Sequence, residues 1–498
     1  MGIIGEYTMS ENLSIYNRIK EALLPDGTLP ENFVLRQMPE QGLRFADGAI
    51  DGTVRYHMGP TKNPDISALT LVLEMASQER FKDSANALIT HFQNGGVMLP
   101  VMDALQDWVF DHPEKLSPEA LGRFCMTLLV QSEDVESVKF AITILELLDR
   151  EETQELKDIL LVLAASEELT LFCLFLLSSF EDGNALIYSV AKRLKGWGRI
   201  HAVSMLKPEN DEMAQWLLNE GWRNEIMPEY SAIVAIKRGG LLDRLVGDNA
   251  TKEDFQLAGE LIGASLEDNP VPGLNKYKKS NELLGAYLKL ADKYAEDLED
   301  YSNIFDIRDF LEKGELAEKD NLLKSAGSIL DSKECIDCVE ASMDGGEGFY
   351  LGKALGLDYA DRAMDTLRHD WQTKYDMIDL LLPEKQYVDE IVKLFEDELP
   401  LEDMASGPEN EMGNDERYAD YGILSYVIQG LQAVPGKGEK LICAGLYSPV
   451  IGTRNIALNT VDKWRKSDFQ LTKAMENTLM KLKSSEVNEQ TKKRLEKF

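Results

Sequence analysis

The sequence predicts an all-α fold of stacked helix pairs, an α-α superhelix, and three observations carry that prediction. From Pro64 almost to Phe498, apolar residues recur at three- and four-residue steps in one segment after another. Short Gly, Pro and Asp/Asn clusters separate the segments, which makes neighbouring helices antiparallel. Several segments are apolar on more than one face and must be covered from more than one side. A single helix pair of this kind cannot bury its apolar surface, so the pairs must stack.

The elements follow in order. Residues 11–23 form a short helix closed by Pro25-Asp26-Gly27. Phe33-Val34-Leu35-Arg36 and Thr53-Val54-Arg55-Tyr56-His57 then look like short strands. The Asp47-Gly48 and Asp51-Gly52 turns between them predict a small β-hairpin. Residues 1–63 thus read as a cap on the first helix pair, because the apolar end of such a stack has to be covered. Helical repeats fill 64–398, with helices expected over 65–78, 82–93, 98–110, 117–131, 134–149, 152–165 and 167–181. They continue over 184–195, 198–206, 210–219, 229–238, 253–267 and 278–297. In the helix at 134–149, Val135, Val138, Ala141, Ile142, Leu145 and Leu148 share one face while Phe140, Ile144 and Leu147 lie elsewhere. A softer boundary falls at Asn269-Pro270-Val271-Pro272-Gly273. The strong break is an acidic loop at 399–414. Residues 396–420 around it carry ten acidic groups against a single basic one, Arg417. A last helical block, 415–498, ends on a cationic helix bearing Lys481, Lys483, Lys492, Lys493, Arg494 and Lys497, read as a polar end cap.

Charge narrows the partners. Across 498 residues, 53 Lys and Arg face 87 Asp and Glu, a net charge of -34. A field of that sign repels phosphate backbones and anionic lipid heads, so neither nucleic acid nor membrane is expected as a partner. Cys125, Cys173, Cys335, Cys338 and Cys443 sit mostly in apolar runs, the pattern of reduced thiols in a cytoplasmic protein. The start, Met1 to Met9, lacks the basic region and apolar core of a signal peptide, and Met9 reads as a second start. The longest apolar stretch, Leu169 to Leu177, is about half of what a membrane span needs.

Three helices carry a resemblance. Gly452-Thr453-Arg454-Asn455-Ile456-Ala457-Leu458 resembles the second helix of HEAT-type repeats, in which an Arg precedes an Ala-Leu pair. Gly198-Arg199-Ile200-His201-Ala202-Val203 and Glu136-Ser137-Val138-Lys139-Phe140-Ala141-Ile142 are looser versions. The resemblance implies a HEAT/ARM-like α-solenoid that serves as a protein-binding scaffold. Gly196-Trp197-Gly198-Arg199-Ile200-His201-Ala202-Val203, with Trp216-Leu217-Leu218, is also similar to an uncharacterised bacterial HEAT-like family. Some members of that family carry the label limonene hydroxylase, which implies a monooxygenase acting on a small apolar terpene.

The residues support that chemistry poorly. Hydroxylating an unactivated hydrocarbon needs haem, non-haem iron or flavin. Cys443-Ala444-Gly445 has Leu441 where a haem-thiolate loop places a basic residue, and Cys443 is expected inside a helix. Asp344-Gly345-Gly346-Glu347-Gly348 is too acidic to cradle a pyrophosphate. Cys335-Ile336-Asp337-Cys338 stands alone, and the five histidines show no metal-binding spacing. Beside Arg368-His369-Asp370, neighbours on a helix point in different directions. No cofactor is expected, and no catalytic residue is assigned. Large rings and cations gather instead around Trp197, Trp216, Trp222 and Tyr230. The expected function is a scaffold that binds a protein or peptide on its concave face through Trp197, Arg199, His201, Trp222 and Arg223.

Overall fold

A computed structural model of the chain describes residues 13–36, 45–149, 153–247, 249–314, 316–496 and 498. Among them the secondary structure is helical throughout, and the one β contact is an isolated parallel bridge between Glu411 and Val450. None of these helices is long and apolar enough to cross a membrane. The expected start of the first helix, 11–12, and the reading of Met1 to Met9 lie outside the described residues.

The chain divides into two compact units, residues 1–295 with 306–326, and residues 296–305 with 327–498. In the first unit α1 is Ile15–Ala22 and α2 is Ala49–Thr53, which runs into a π-helical turn, Val54–Met58. Next come α3 (Ser67–Ser77), α4 (Phe81–Gln93), α5 (Met102–Asp111), α6 (Pro118–Gln131), α7 (Val135–Leu147) and α8 (Gln154–Leu163). After these lie α9 (Glu167–Leu177), α10 (Gly183–Arg193), α11 (Trp197–Met205) and α12 (Asp211–Trp216). The unit continues with α13 (Glu229–Gly239), α14 (Leu241–Val246), α15 (Lys252–Gly263) and α16 (Ser280–Tyr294).

Two kinds of contact organise these helices. Sequence neighbours pair, as α6 does with α7, α8 with α9 and α10 with α11, while α7, α9, α11, α13 and α15 each touch the next in that series. The series is what a helix apolar all round requires. α7 is buried from Val135 to Leu145, and in α9 Leu169, Leu171, Phe172, Leu174, Leu176 and Leu177 are all covered. Each such side chain contributes ~1.5–3 kcal/mol on burial. Short side chains start the helices. Asp134 caps α7 by accepting from Ser137 N, and Thr153 caps α8 by accepting from Leu156 N.

The expected β-hairpin is not seen among the described residues. Phe33 to Arg36 is irregular, and Thr53 to His57, read as a strand, closes α2 and forms the π turn. The two Asp-Gly pairs make no hairpin turns. Gly48, at φ +77°, is the N-cap of α2, and Asp51 and Gly52 lie inside that helix. The strand-like look of these segments was a local signal, and long-range contacts of Asp51 and Tyr56 overrode it.

In the second unit α17 (Leu298–Lys313) and α18 (Asp320–Leu330) contribute only in part, and α19 (Lys333–Asp344), α20 (Phe349–Ala354) and α21 (Ala360–His369) follow. Then come α22 (Trp371–Lys374), α23 (Ile378–Leu381), α24 (Val388–Glu398) and α25 (Leu401–Met404). α26 (Ala419–Gly430), α27 (Glu439–Leu446), α28 (Ile451–Lys466), α29 (Lys473–Ser485) and α30 (Glu489–Leu495) complete it. The segment read as an acidic loop is pinned along its length. Gly407 N donates to Tyr447 O at 2.9 Å, Glu411 O accepts from Ile451 N at 3.0 Å, and Glu409 O accepts from Arg454 at 2.9 Å.

Candidate functional site

The site grows from the way α2 lies against α11. A Cβ on Gly48 would sit 2.7 Å from the Glu167 carbonyl oxygen and 3.0 Å from Trp197 Cβ. A Cβ on Gly52 would enter the Trp197 ring, at 2.2 Å from Cε3. Both glycines are therefore required for close approach, the second even though glycine weakens a helix interior. Beyond them the backbone widens into the π turn, a form that recurs at functional sites, and this turns Arg55, His57 and Met58 outward.

Beneath α2 lies a buried ionic cluster. Lys139 of α7 is fully buried, with Nζ 2.6 Å from Asp51 Oδ2, 3.1 Å from Glu136 Oε1 and 3.8 Å from Glu168 Oε2. Arg36 reaches the same carboxylates, through Nε to Glu168 Oε2 at 2.7 Å and through a second nitrogen to Glu136. The remaining oxygens of the two glutamates are also used: Glu136 Oε2 accepts from Met98 N at 2.7 Å and Glu168 Oε1 from Gly48 N at 3.1 Å. Burial opposes the charge on Lys139, yet Glu136 and Asp51 hold its pKa above the ordinary lysine value. Burial likewise works against ionised Glu136, but Lys139 and Arg36 keep it below its usual value. Burial raises Asp51 in spite of Lys139. Asp47 is pushed up to about 6 by burial and by the neighbouring charges of Glu168 and Glu167.

Above the charges sits an aromatic group. Tyr56 stacks on His201 with ring centroids 5.8 Å apart and meets Trp197 at 6.1 Å and Tyr230 at 5.0 Å. Trp197 and Tyr230 meet at 5.0 Å, and His57 Nε2 lies 2.6 Å from Tyr230 OH. His201 is completely buried, and burial, with the positive charges of Arg55 and Lys139, pushes its pKa down to about 3. It is therefore neutral, and neither of its ring nitrogens has a hydrogen-bond partner. Tyr56 OH and Asp51 Oδ1 are buried and unpartnered as well.

Glu167 holds the Gly196-Trp197-Gly198 stretch, and Gly198 is hemmed in by Leu194 and Thr170, which a Cβ there would meet at 2.5 and 2.8 Å. The carboxylate of Glu167 accepts from Gly196 N at 2.7 Å and from Lys195 N and Gly198 N at 3.3 Å, capping α11 from the start of α9. A Cβ on Gly196 would stand 2.2 Å from Glu167 Oε2.

The five residues singled out in the sequence separate into two groups. Trp197 and His201 join the aromatic group, where both are buried. Trp222 is buried too, its Nε1 donating to Leu218 O at 3.0 Å, with the Arg223 guanidinium 4.6 Å from its ring centroid. Arg223 pairs with Glu260 at 2.5 Å. Arg199 links to that second group through the Arg223 carbonyl, at 3.0 Å, and lies over Trp216. Three buried rings line no open groove; Arg223 is exposed, and beside the aromatic group Arg55, His57 and Met58 are exposed, the first two within the segment expected to be a strand. Arg36, Asp51, Glu136, Lys139 and Glu168 were missed, although Glu136-x-x-Lys139 inside a helix apolar on several faces is a signal for a buried ion pair.

Elsewhere, Cys443 lies inside α27 with burial raising its thiol pKa, and His369 Nδ1 bonds its own helix at Asp365 O. Among the described residues no three His, Cys, Asp or Glu side chains gather as a metal site. Compared with protein-family models, curated proteins and solved structures, the chain matches none.

Proposed function

We propose that the chain is a HEAT-like α-solenoid scaffold that binds a protein or peptide partner, and that Arg55, His57 and Met58 are at the centre of the contact. The observation that carries this reading is Met58, a large apolar side chain left 74% exposed on a turn held rigidly from below. Met227, also exposed, leads into the helix of Tyr230, which His57 touches. Methionine, arginine and aromatic rings are the residue types enriched at interface centres. The ionic cluster then has a mechanical role: it fixes α2 and the π turn so that little is lost in ordering them on binding. In this reading Trp197 and His201 support the platform from within, while Arg199, Trp222 and Arg223 brace the flank. The net charge of -34 favours a partner with basic surface over nucleic acid, and the five free thiols fit a cytoplasmic setting. No observation favours terpene hydroxylation.

The test compares pull-downs by the wild-type chain and by Met58→Glu from the native cytoplasm, each folded to the same extent by circular dichroism. A protein retained by the first and lost by the second supports the reading. Identical recovery by both removes the platform from it.

A further inference from the structure

In the second unit, we infer that a small cleft between α23, α26 and α28 receives a single arginine or lysine side chain from a peptide segment of a basic partner. The inference rests on the reading of the chain as a binding scaffold but uses a separate surface. The cleft has a volume of about 260 Å³ and is lined by Asp379, Tyr426, Gln429, Gly430, Gln432 and Lys463. That is below the ~300–1,000 Å³ of pockets for drug-sized ligands, and suits one side chain.

Its chemistry selects a cation. Tyr426 OH donates to Asp379 Oδ2 at 2.6 Å, so the phenol's proton is already committed, and the half-buried Tyr426 lines the cleft. Tyr375 meets the Tyr426 ring edge-on at 5.2 Å, and Tyr350, 51% exposed, donates to Asp376 O at 3.2 Å. Asp376 and Asp379 are both exposed and both act on Tyr350 and Tyr426. Carboxylates beside tyrosine faces attract a guanidinium or ammonium by charge and by the ring quadrupole. The amide oxygens of Gln429 and Gln432 add acceptors. The wall is rigid, because a Cβ on Gly430 would meet Leu382 at 2.7 Å, so α26 lies close on α23. The one opposing charge is Lys463, 3.4 Å from Gln432 Oε1. It opposes a cationic guest and lowers the affinity of the cleft for one. The chain's charge of -34 gives the same preference at long range.

The probe is an acetylated, amidated Gly-Gly-Arg-Gly-Gly peptide followed by saturation-transfer NMR, with the citrulline peptide as its neutral isostere. The arginine side chain should receive saturation and the citrulline side chain should not. Asp379→Asn should weaken binding roughly fivefold, and Lys463→Gln should strengthen it. Asp337→Asn, an exposed aspartate away from the cleft, should change nothing. Equal binding of arginine and citrulline peptides, or an Asp379→Asn variant that binds like wild type, overturns the inference. Equal binding of free N-acetylarginine amide also overturns it, in favour of a small-cation site. If the cleft fails these tests while Met58→Glu still loses its partner, the scaffold reading stands and this inference alone falls.

Discussion

Lys139 Nζ and Asp51 Oδ2 lie 2.6 Å apart, both buried, and join α7 to α2 across 88 residues of chain. The contact helps to explain why Ala49 to Met58 is helical although Asp51-Gly52 reads as a turn and Thr53 to His57 as a strand. Breaking one side of a buried ion pair leaves the other charge unpaired in a poor solvent. Lys139→Ala should therefore destabilise the first unit by ~3–5 kcal/mol. Replacing Lys139 and Asp51 together by Met and Leu should cost clearly less than Lys139→Ala alone. Urea unfolding followed by tryptophan fluorescence measures both; equal losses would mean that the charges are not coupled.

Gly52→Ala tests the contact with Trp197. In an exposed helix interior this change stabilises by ~1 kcal/mol. Here the new methyl would enter the indole ring, and the expected sign is reversed, a loss of about 1–3 kcal/mol. A gain in melting temperature would show that α2 does not lie on Trp197.

The pH dependence has two opposed parts. His201 titrates near 3 when folded, against about 6.5 when unfolded. Its depressed pKa adds stability that is present above pH 6.5 and lost as pH falls toward 3, because only the unfolded state takes up the proton. Asp47 is raised from 3.8 to about 6, so the folded state holds its proton longer and stability falls as pH rises through that window. His201→Phe should flatten the acid side of the stability curve, and Asp47→Asn should remove the decline between pH 4 and 6. Denaturant titrations across pH 3–8 would separate the two.

Arg454 of α28 ties together three stretches of the second unit. It is fully buried, pairs with Glu486 through two nitrogens at 2.9 Å, and donates to the Ser448, Pro449 and Glu409 carbonyls. A lysine cannot reproduce that fork of donors. Arg454→Lys should lose ~2 kcal/mol or more in the second unit and free the stretch around Glu409. Hydrogen exchange should rise at Gly407 and Ile451, whose amides depend on that docking. Unchanged protection there would count against it.

Most helices were legible because their signal is local: spacing, caps and breakers sit within one or two turns. α7 was expected at 134–149 and runs from Val135 to Leu147. The Asp47-Gly48 and Asp51-Gly52 pairs misled for the same reason, since their local turn signal was strong while Glu167 and Trp197, which require the glycines, lie far along the chain. The ionic cluster was illegible because its partners are distant, with Arg36 separated from Glu136 by 100 residues and from Glu168 by 132. Trp197 and His201 were singled out as groove residues, but no periodicity distinguishes a ring that faces a partner from one that supports the residue facing it.

Glu167 caps the helix that begins at Trp197, so α9 completes the backbone of α11. Helices joined in this way are not interchangeable cassettes. Deleting or transposing α9 would strand the Lys195, Gly196 and Gly198 amides at the start of α11 as well as removing a contact surface. Change in this part of the protein is therefore expected to proceed by substitution within helices, with their number and order preserved.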